Sequence, residues 1–420
     1  MPFGPMRAWT LGERGMSMRT GRRIRCRLQQ TVFRAAMPLL PYREPEIMQT
    51  MEGVAAACVS EHVARVLIVT GPRIAASGML DDLTHALEKA HVSYRVFDRV
   101  VPNPTVANVE DAREEYLHHD AHGIIAVGGG SPMDCAKATA RLIADPDSTL
   151  SDARGISFSR RPVPLLVCVP TTAGSGSETT VAAVVTDEAK RLKYAINDFR
   201  LIPKYAVLDA RLTASLPPSV TAQTGMDALT HAIEAYIGRS TTRRTRAMSK
   251  KAVSLIHGNL LRAYRHGDDL EARDAMLKAS YCAGVAFTRS YVGYVHAMAH
   301  ALGGRYGIAH GLANAIILPH MLRAYGHAID PKLARLARVA GIASRDMSAA
   351  DAAAAFIAWI DEANASMGMP RYVEGVQEID IPQMALDADA EANPLYPVPV
   401  LMDEKELRRM FYVIAGSRVE

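Results

Sequence analysis

The stretch "GIIAVGGGSPMDCAKA", residues 123 to 138, joins an apolar, β-branched run to three glycines, a serine and a helical pattern. The apolar run predicts a buried strand, and Pro132 suits the first turn of a helix because no backbone donor is needed there. A glycine-rich turn between the two exposes backbone N–H groups and a helix N-terminus, which together favour a phosphate. The alternative is a tight turn without a ligand. The turn does not have the G-x-G-x-x-G fingerprint, so the usual dinucleotide-binding motif is not present.

The chain around this turn alternates short apolar runs with helical segments such as "GMLDDLTHALEKA". This alternation predicts a doubly wound parallel sheet with right-handed crossovers. From about residue 216 onward the apolar spacing is helical, which predicts an all-α second half. We therefore expect an α/β domain over residues 37–215 and an all-helical domain over residues 216–420. The runs that predict the other buried strands are "RVLIVTG" (65 to 71), "SYRVFD" (93 to 98) and "PLLVCVP" (164 to 170).

A second polar loop, "VPTTAGSGSETT" (169 to 180), follows the last of these strands. Open α/β sheets bind ligands at the carboxyl ends of their strands, so this loop is a second candidate for nucleotide binding. Its small and hydroxyl-bearing residues suit phosphates, ribose and an amide group. Downstream, Lys193 either adds a positive charge to the site or is an ordinary solvated lysine.

The helical half contains a repeated pair of polar residues at a spacing of four. Asp227 and His231 in "GMDALTHAIEAYIG" (225 to 238) lie on one face of a helix, and His296 and His300 in "VHAMAHALGG" repeat the spacing. His310 follows shortly after. A single core histidine usually needs no ligand, but several together with a carboxylate predict a metal site. Imidazole and carboxylate ligands suit Zn or Fe(II) better than Ca or Mg.

Composition excludes several classes of protein. The 420 residues are 49% hydrophobic and 22% charged with a net charge of +4, and no apolar run is long enough to span a membrane. The arginines in the first 36 residues account for all of this excess positive charge, so the remainder offers no basic surface for nucleic acid. The five cysteines are odd in number and unpaired in spacing, which predicts a reducing, cytoplasmic compartment and no thiolate metal site.

The first 36 residues are rich in arginine and poor in acidic residues. We expect them to form a basic, disordered extension; an organelle-targeting segment and an ordered arm are the alternatives.

Four of the motifs in this chain resemble those of one family. In the family's order, "GGGSPMDCAK", "PTTAGSGSE", "GMDALTHAIEAY" and "VHAMAHALGGRYGIAHGLANAIILPH" resemble the iron-containing (group III) alcohol dehydrogenases from about residue 40 to the end. The resemblance implies a dehydroquinate synthase-like fold, with a dinucleotide-binding α/β domain followed by an all-α metal-binding domain. It also implies Fe(II), with Zn as a possible substitute, and NAD or NADP as cofactors.

Carried over residue by residue, the resemblance assigns roles to specific positions. The metal ligands would be Asp227, His231, His296 and His310, and His300 would be a proton-relay or cofactor-side residue. The cofactor-binding positions would be Asn103, Gly129, Gly130, Ser131, Asp134, Thr171, Thr172, Thr180 and Lys193.

The implied reaction is reversible hydride transfer between a small alcohol and the nicotinamide, with the metal as a Lewis acid. Members strict for NAD often end the first strand with Asp, where this chain has Gly71, so the resemblance leaves NAD and NADP both open. We expect a small-molecule alcohol or aldehyde substrate, no nucleic-acid or membrane partner, and a homodimer or larger homo-oligomer. The alternatives are a dehydroquinate-synthase-like lyase, a hydroxyacid-oxoacid transhydrogenase in which Arg289 pairs the substrate carboxylate, and a non-catalytic metal-stabilised binding protein.

Overall fold

The computed structural model describes residues 18–190 and 192–417. Within these residues the strands are β1 Glu46–Met48, β2 Arg65–Val69, β3 Ser93–Phe97, β4 Gly123–Gly128, β5 Gly155–Ile156, β6 Leu165–Pro170, β7 Ala182–Asp187, β8 Leu192–Asn197 and β9 Tyr205–Val207. The α-helices are α1 Thr20–Ala36, α2 Met51–Ser60, α3 Pro72–Ala75, α4 Asp81–Lys89, α5 Val106–His118, α6 Gly130–Ala144, α7 Pro218–Ile237, α8 Arg243–Arg265, α9 Leu270–Ser290, α10 Tyr294–Tyr306, α11 His310–Tyr325, α12 Asp330–Ala340, α13 Ala349–Ser366, α14 Ile381–Ala392 and α15 Glu404–Ile414.

Six strands form a parallel sheet in the order β1-β9-β6-β4-β2-β3. The four strands predicted from the sequence are β2, β3, β4 and β6, so the predicted parallel sheet is confirmed. Every residue of β4 is buried, as its near-continuous apolar run requires. A second sheet, in the order β5-β8-β7, contains an antiparallel pairing of β7 with β8 that the sequence analysis did not predict.

Side chains of the central strands alternate between two separate apolar clusters, one on each face of the sheet. Leu67 and Val69 of β2 pack in one cluster with residues of α5 and α6. Val66 and Ile68 of the same strand pack in the other cluster with residues of α2 and α4. Helices therefore cover both faces, which is the doubly wound arrangement.

Tight packing at the end of β4 explains the first glycine of the glycine-rich turn. Gly128 has φ +154, and a Cβ at this position would lie 2.5 Å from Cγ of Pro132. Only glycine fits there. The chain consequently passes from Gly128 directly into α6, which begins at Gly130.

The chain divides into two compact units. One contains residues 41–216 and 267–288, and the other contains residues up to 40, 217–266 and 289–420. The second unit is helical: α7 packs on α8 and α11, and α10 packs on α11 and α14. From Gly225 to Ile237 every residue of α7 is buried, so this helix lies at the centre of the unit. Among the described residues, no helix is both long and apolar enough for a membrane crossing.

The division differs from the linear boundary that we expected near residue 216, because residues 267–288 belong with the sheet. The Tyr281 hydroxyl in α9 donates to the Pro45 carbonyl at 2.8 Å. Gly284 of the same helix lies so close to Gly176 that a Cβ on Gly176 would approach the Gly284 Cα to 2.8 Å. Helix α9 therefore packs on the loop after β6, a contact between residues far apart in sequence.

The N-terminal segment also differs from the expected disordered extension. Residues 20–36 form α1, in which Cys26 and Gln30 are buried. Arg22 pairs with Asp389 at 2.7 Å, and Arg27 donates to the carbonyls of Val398 and Pro399. The helix is ordered because its arginines find partners in the C-terminal segment. Residues 1–17 of the expected extension lie outside the described residues.

Candidate functional site

The predicted metal ligands converge inside the helical unit. The candidate ligand atoms of Asp227, His231 and His296 all lie within 4.8 Å of one another, and the three side chains are buried. Nε2 of His310, at the start of α11, lies 3.4 Å from Oδ1 of Asp227. The imidazole rings of His231 and His296 stack with their centroids 4.4 Å apart. Helices α7, α10 and α11 thus bring one carboxylate and three imidazoles to one place.

Glu234 is a buried acid that the sequence analysis did not assign to the site. It lies seven residues after Asp227, on the same face of α7. Oε2 of Glu234 lies 2.6 Å from Nδ1 of His296, and the carboxylate also accepts the backbone N–H groups of Gly293 at 2.8 Å and Val295 at 2.9 Å. A carboxylate at this helix N-terminus is electrostatically favourable. It also fixes Nδ1 of His296 as the protonated nitrogen, which leaves Nε2 available to a metal.

Opposite charges within the cluster shift the pKa values of its members. Burial alone would raise the pKa of Asp227, yet His231, His310 and His296 together hold it far below its usual range. Burial alone would lower the pKa of His296, but the carboxylates of Asp227 and Glu234 raise it to about 9.

The side chain of Asn314 lies among the predicted ligands and shows that there is a polar position between them. Its Nδ2 lies 2.7 Å from Asp227 Oδ1, 3.2 Å from His310 Nε2 and 3.3 Å from His296 Nε2. Side-chain atoms of three predicted ligands thus surround one point, which the amide nitrogen of Asn314 now occupies. Oδ1 of Asn314 is buried and has no hydrogen-bond partner among the described residues. The donor set, one oxygen and three nitrogens, suits Zn or Fe(II).

His300 lies beside the cluster and has a different partner. Its ring stacks on His310, with centroids 5.1 Å apart and planes 18° apart, and its Nδ1 lies 2.7 Å from Oε1 of Glu391. His300 is not a member of the compact group of three ligands.

The predicted cofactor residues in the sheet unit also come together around the ends of β4 and β6. Asn103 adopts a left-handed conformation with φ +57, and its backbone N–H donates to Ser131 Oγ at 3.2 Å. Lys193 donates to Asn103 Oδ1 at 2.7 Å, which gives this lysine a specific partner. The Thr171 N–H donates to the Gly128 carbonyl at 2.9 Å, so the two polar loops are hydrogen-bonded to each other.

The remaining cofactor positions lie in the same two loops or in the first two turns of α6. A Cβ on Gly129 would lie 3.2 Å from Oγ1 of Thr172, and a Cβ on Gly130 would lie 3.5 Å from Ser175. Asp134 accepts a hydrogen bond from the Ser177 hydroxyl at 3.0 Å. Burial raises the pKa of Asp134 to about 6, although nearby Lys137 acts in the opposite direction. The glycines let the loop after β6 approach the turn that begins α6.

Lys137 was missed by the sequence analysis, although it lies within the opening stretch. Its side chain is fully buried, and Nζ donates to the carbonyls of Ser177 at 2.5 Å, Thr180 at 2.9 Å and Ala182 at 3.1 Å. Nζ also contacts the Thr180 hydroxyl at 2.8 Å. A helix-borne ammonium therefore holds the second polar loop in place. Because a lysine is ordinarily exposed, nothing in its sequence context indicated this burial.

Comparison with known proteins identifies the class to which this fold and these sites belong. The model of the family "Iron-containing alcohol dehydrogenase" matches residues 49–210, and the model of the "Fe-containing alcohol dehydrogenase family, C-terminal" matches residues 221–412. The 1,3-propanediol dehydrogenase of Klebsiella pneumoniae is 39% identical over 338 residues, which are 79% of this chain and 87% of that protein. The lactaldehyde reductase of Escherichia coli K12 is 37% identical over 76% of this chain and 84% of that protein.

Solved structures agree with this result. A crystal structure of 1,3-propanediol oxidoreductase superposes with a TM-score of 0.85 at 36% identity, covering 89% of this chain and 99% of that one. A sulfoacetaldehyde reductase from Bifidobacterium kashiwanohense, solved in complex with NAD+, gives a TM-score of 0.80 at 27% identity over 90% of this chain and 99% of that one. The chain therefore belongs to the iron-containing alcohol dehydrogenase family. Its predicted fold, family and class of activity, an oxidoreductase acting on alcohols, are confirmed and preferred over the alternatives.

Proposed function

We propose that this alcohol dehydrogenase transfers a hydride reversibly between a small alcohol and a nicotinamide cofactor, NAD or NADP, with a divalent metal. The convergence of Asp227, His231 and His296, with His310 beside them, carries the proposal. Relatives named 1,3-propanediol dehydrogenase, lactaldehyde reductase and NAD-dependent methanol dehydrogenase support a small substrate. The product would be the corresponding aldehyde or ketone.

Asp227, His231, His296 and His310 would hold the metal. The family description favours Fe(II), and the same nitrogen and oxygen donors would accept Zn. When bound, the metal would supply a Lewis acid that favours the alkoxide form of the alcohol, and the nicotinamide would accept the hydride. His300 would hold or pass on the alcohol proton, because its imidazole lies beside the ligand cluster without belonging to it.

The cofactor would be held by Asn103, Ser131 and Lys193 at the end of β4, together with the hydroxyls that follow β6. The N-terminus of α6 and the glycines before it offer backbone N–H groups to a pyrophosphate. Asn103 is a non-glycine residue in the left-handed region, a conformation that is enriched at functional sites. The NAD+ complex of the sulfoacetaldehyde reductase supports this cofactor class for a chain of the same fold.

A reducing, cytoplasmic location and a homo-oligomeric assembly complete the proposal. All five cysteines are buried and free, which fits a protein that has no need of disulfides. Light scattering on the purified chain would report the mass of the assembly.

The decisive experiment is a metal-reconstitution assay. Purified protein should be stripped with a chelator, reloaded separately with Fe(II) and Zn, and assayed with NAD and NADP on 1,3-propanediol, 1,2-propanediol and methanol. We expect no activity without metal and recovery with at least one metal. The His231→Ala variant should lose both metal and activity, whereas replacing exposed His327 by alanine should change neither. Full activity in the stripped protein would refute the proposal.

A further inference from the structure

A short network links His300 to the C-terminal segment. Oε1 of Glu391 lies 2.7 Å from Nδ1 of His300, and the hydroxyl of buried Tyr396 donates to the same oxygen at 2.7 Å. His300 lies in α10 and Glu391 in the last turn of α14, and these two helices pack against each other. The carboxylate therefore has two donors, neither of which belongs to the predicted ligand set.

We propose that Glu391 is a positioning residue for His300, and that α1 braces Glu391 through the segment after α14. The inference rests on the proposed function, because it matters only if His300 takes part in the reaction. It adds a residue that acts through His300 and has no role in holding the metal.

The hydrogen bond determines both the orientation and the tautomer of the His300 ring. A carboxylate at Nδ1 accepts a hydrogen bond from the N–H of that nitrogen, so Nε2 is left as the nitrogen that can accept or give a proton in the reaction. The face of the ring is fixed separately, by stacking on His310 at 5.1 Å. Without Glu391, the ring could flip by 180° about its Cβ–Cγ bond, which preserves the stacking plane, and could change its tautomer.

Helix α1 supports the segment that supplies Tyr396. Gln30 Nε2 donates to the Tyr396 carbonyl at 2.7 Å, and Arg27 donates to the carbonyls of Val398 and Pro399 at 2.8 and 3.0 Å. Gln30 is buried in this contact. The helix ends at Ala36, before residue 49, where the family-model match begins. An element outside the matched region would thus stabilise a residue next to the reacting groups.

A double-mutant cycle tests whether Glu391 acts through His300. Glu391→Leu and Glu391→Gln should each be made in the wild-type chain and in a His300→Ala chain, with metal content and kcat measured for all six proteins. In the wild-type background, Glu391→Leu should lower kcat by about 10- to 100-fold with metal content unchanged, as expected for loss of a hydrogen bond to a charged group. Glu391→Gln keeps an acceptor oxygen, so it should lower kcat clearly less than Glu391→Leu does.

In the His300→Ala background, Glu391→Leu should change kcat by less than about twofold, because its target is already absent. An undiminished loss there, or equal losses for the leucine and glutamine variants, would overturn the inference. Asp387→Leu, at an exposed position of the same helix, is the matched control and should behave as wild type. If His300→Ala itself leaves kcat unchanged, the proposed role of His300 fails, and this inference fails with it. If His300→Ala lowers kcat but the Glu391 variants do not, the inference about Glu391 fails and the proposed role of His300 stands.

Variants of two neighbouring glutamines in α1 test the contribution of this helix. Gln30→Leu removes the donor to the Tyr396 carbonyl, whereas Gln29→Leu changes an exposed residue of the same helix. We expect Gln30→Leu to lower kcat several-fold with metal retained, and this loss should also vanish in the His300→Ala chain. Equal kcat values for the Gln30 and Gln29 variants would remove α1 from the inference.

Discussion

Oε2 of Glu234 lies 2.6 Å from Nδ1 of His296, and both side chains are 2% exposed. Glu234 is held in turn by the N–H groups of Gly293 and Val295. A Cβ on Gly293 would lie only 2.6 Å from Oε1 of Glu234, so the approach requires glycine at that position. One carboxylate thus joins α7 to the start of α10 and orients a predicted ligand.

The first prediction is that Glu234→Gln weakens metal binding. A neutral amide is a poorer acceptor for Nδ1–H of His296, and loss of such a partner typically costs about 10- to 100-fold in metal affinity. Competition with a chromophoric chelator would measure the change. The matched control is Glu406→Gln, at a buried carboxylate that caps α15; an equal loss of affinity there would assign the effect to general destabilisation.

The second prediction concerns pH. The pKa of His296 is raised to about 9 in the metal-free site, above the ordinary value of about 6.5. Metal binding must displace that proton, so the apparent affinity for Zn should rise with pH up to about 9 and then level off. The stability that the proton contributes to the metal-free protein is fully present below about pH 6.5 and is lost as the pH rises through 9.

Calorimetry in two buffers of different ionisation enthalpy would count the protons released on metal binding. We expect release at pH 7.5 and little release above pH 9. An affinity that is flat between pH 7 and 9 would contradict a protonated His296.

The third prediction distinguishes the role of His296 as a metal ligand from the role of His300 as a proton relay. His296→Ala should purify with little metal, because it removes a direct bond. His300→Ala should keep its metal and lose about 10²- to 10⁴-fold in turnover, the usual range for general acid–base help. Metal content per chain, measured on both variants, decides between the roles. If the His296→Ala variant retained its metal and the His300→Ala variant lost it, the two assignments would be reversed.

The spacing of polar residues predicted much of the candidate metal site. A period of four places Asp227 and His231 on one face of α7, whereas His296 was added to the predicted ligands by the family resemblance and lies beside them in the structure. The same reasoning could have found Glu234, which continues the face of Asp227 and His231 by one more turn. Asn314, four residues after His310, could have been found in the same way.

Other parts of the structure could not be predicted from the sequence because they depend on contacts between distant segments. Glu391 and Tyr396 lie in no recognisable motif, and only the packing of α14 on α10 brings them to His300. Helix α9 has the same helical pattern as its neighbours, yet the close approach of Gly284 to Gly176 attaches it to the sheet unit. The order of α1 likewise depends on partners about 370 residues away in sequence, such as Asp389.

The fourth prediction concerns Lys137. Replacing it by methionine keeps most of the side-chain volume but deprives the buried carbonyls of Ser177, Thr180 and Ala182 of a charged donor. Unfolding free energy should fall by about 3 kcal/mol, and the dissociation constant for NAD should rise because the loop after β6 loses its anchor. The control, Lys190→Met, removes an exposed lysine that pairs with Asp187 and should cost less than about 1 kcal/mol. If urea unfolding showed the same loss of stability for Lys137→Met and Lys190→Met, this would contradict an anchoring role for Lys137.

The fifth prediction concerns the choice between NAD and NADP. Gly71 follows β2 and caps α3 with φ −101 and ψ 162, a conformation open to any residue. A Cβ there would approach the Val100 carbonyl to 3.3 Å, so a side chain fits after a small adjustment. An aspartate at this position would repel a 2′-phosphate, and its carboxylate is also a favourable N-cap.

Gly71→Asp should therefore lower kcat/KM for NADP at least about tenfold more than for NAD, since one like-charge contact of about 1.4 kcal/mol gives that ratio. Gly71→Asn has nearly the same shape and capping ability without the charge, so it should leave the ratio of the two cofactors unchanged. Steady-state kinetics with both cofactors on the same substrate provide the measurement. If the asparagine and aspartate variants shift the ratio equally, shape rather than charge governs this position. If neither variant shifts it, residue 71 does not contact the ribose, and another group must discriminate between the cofactors.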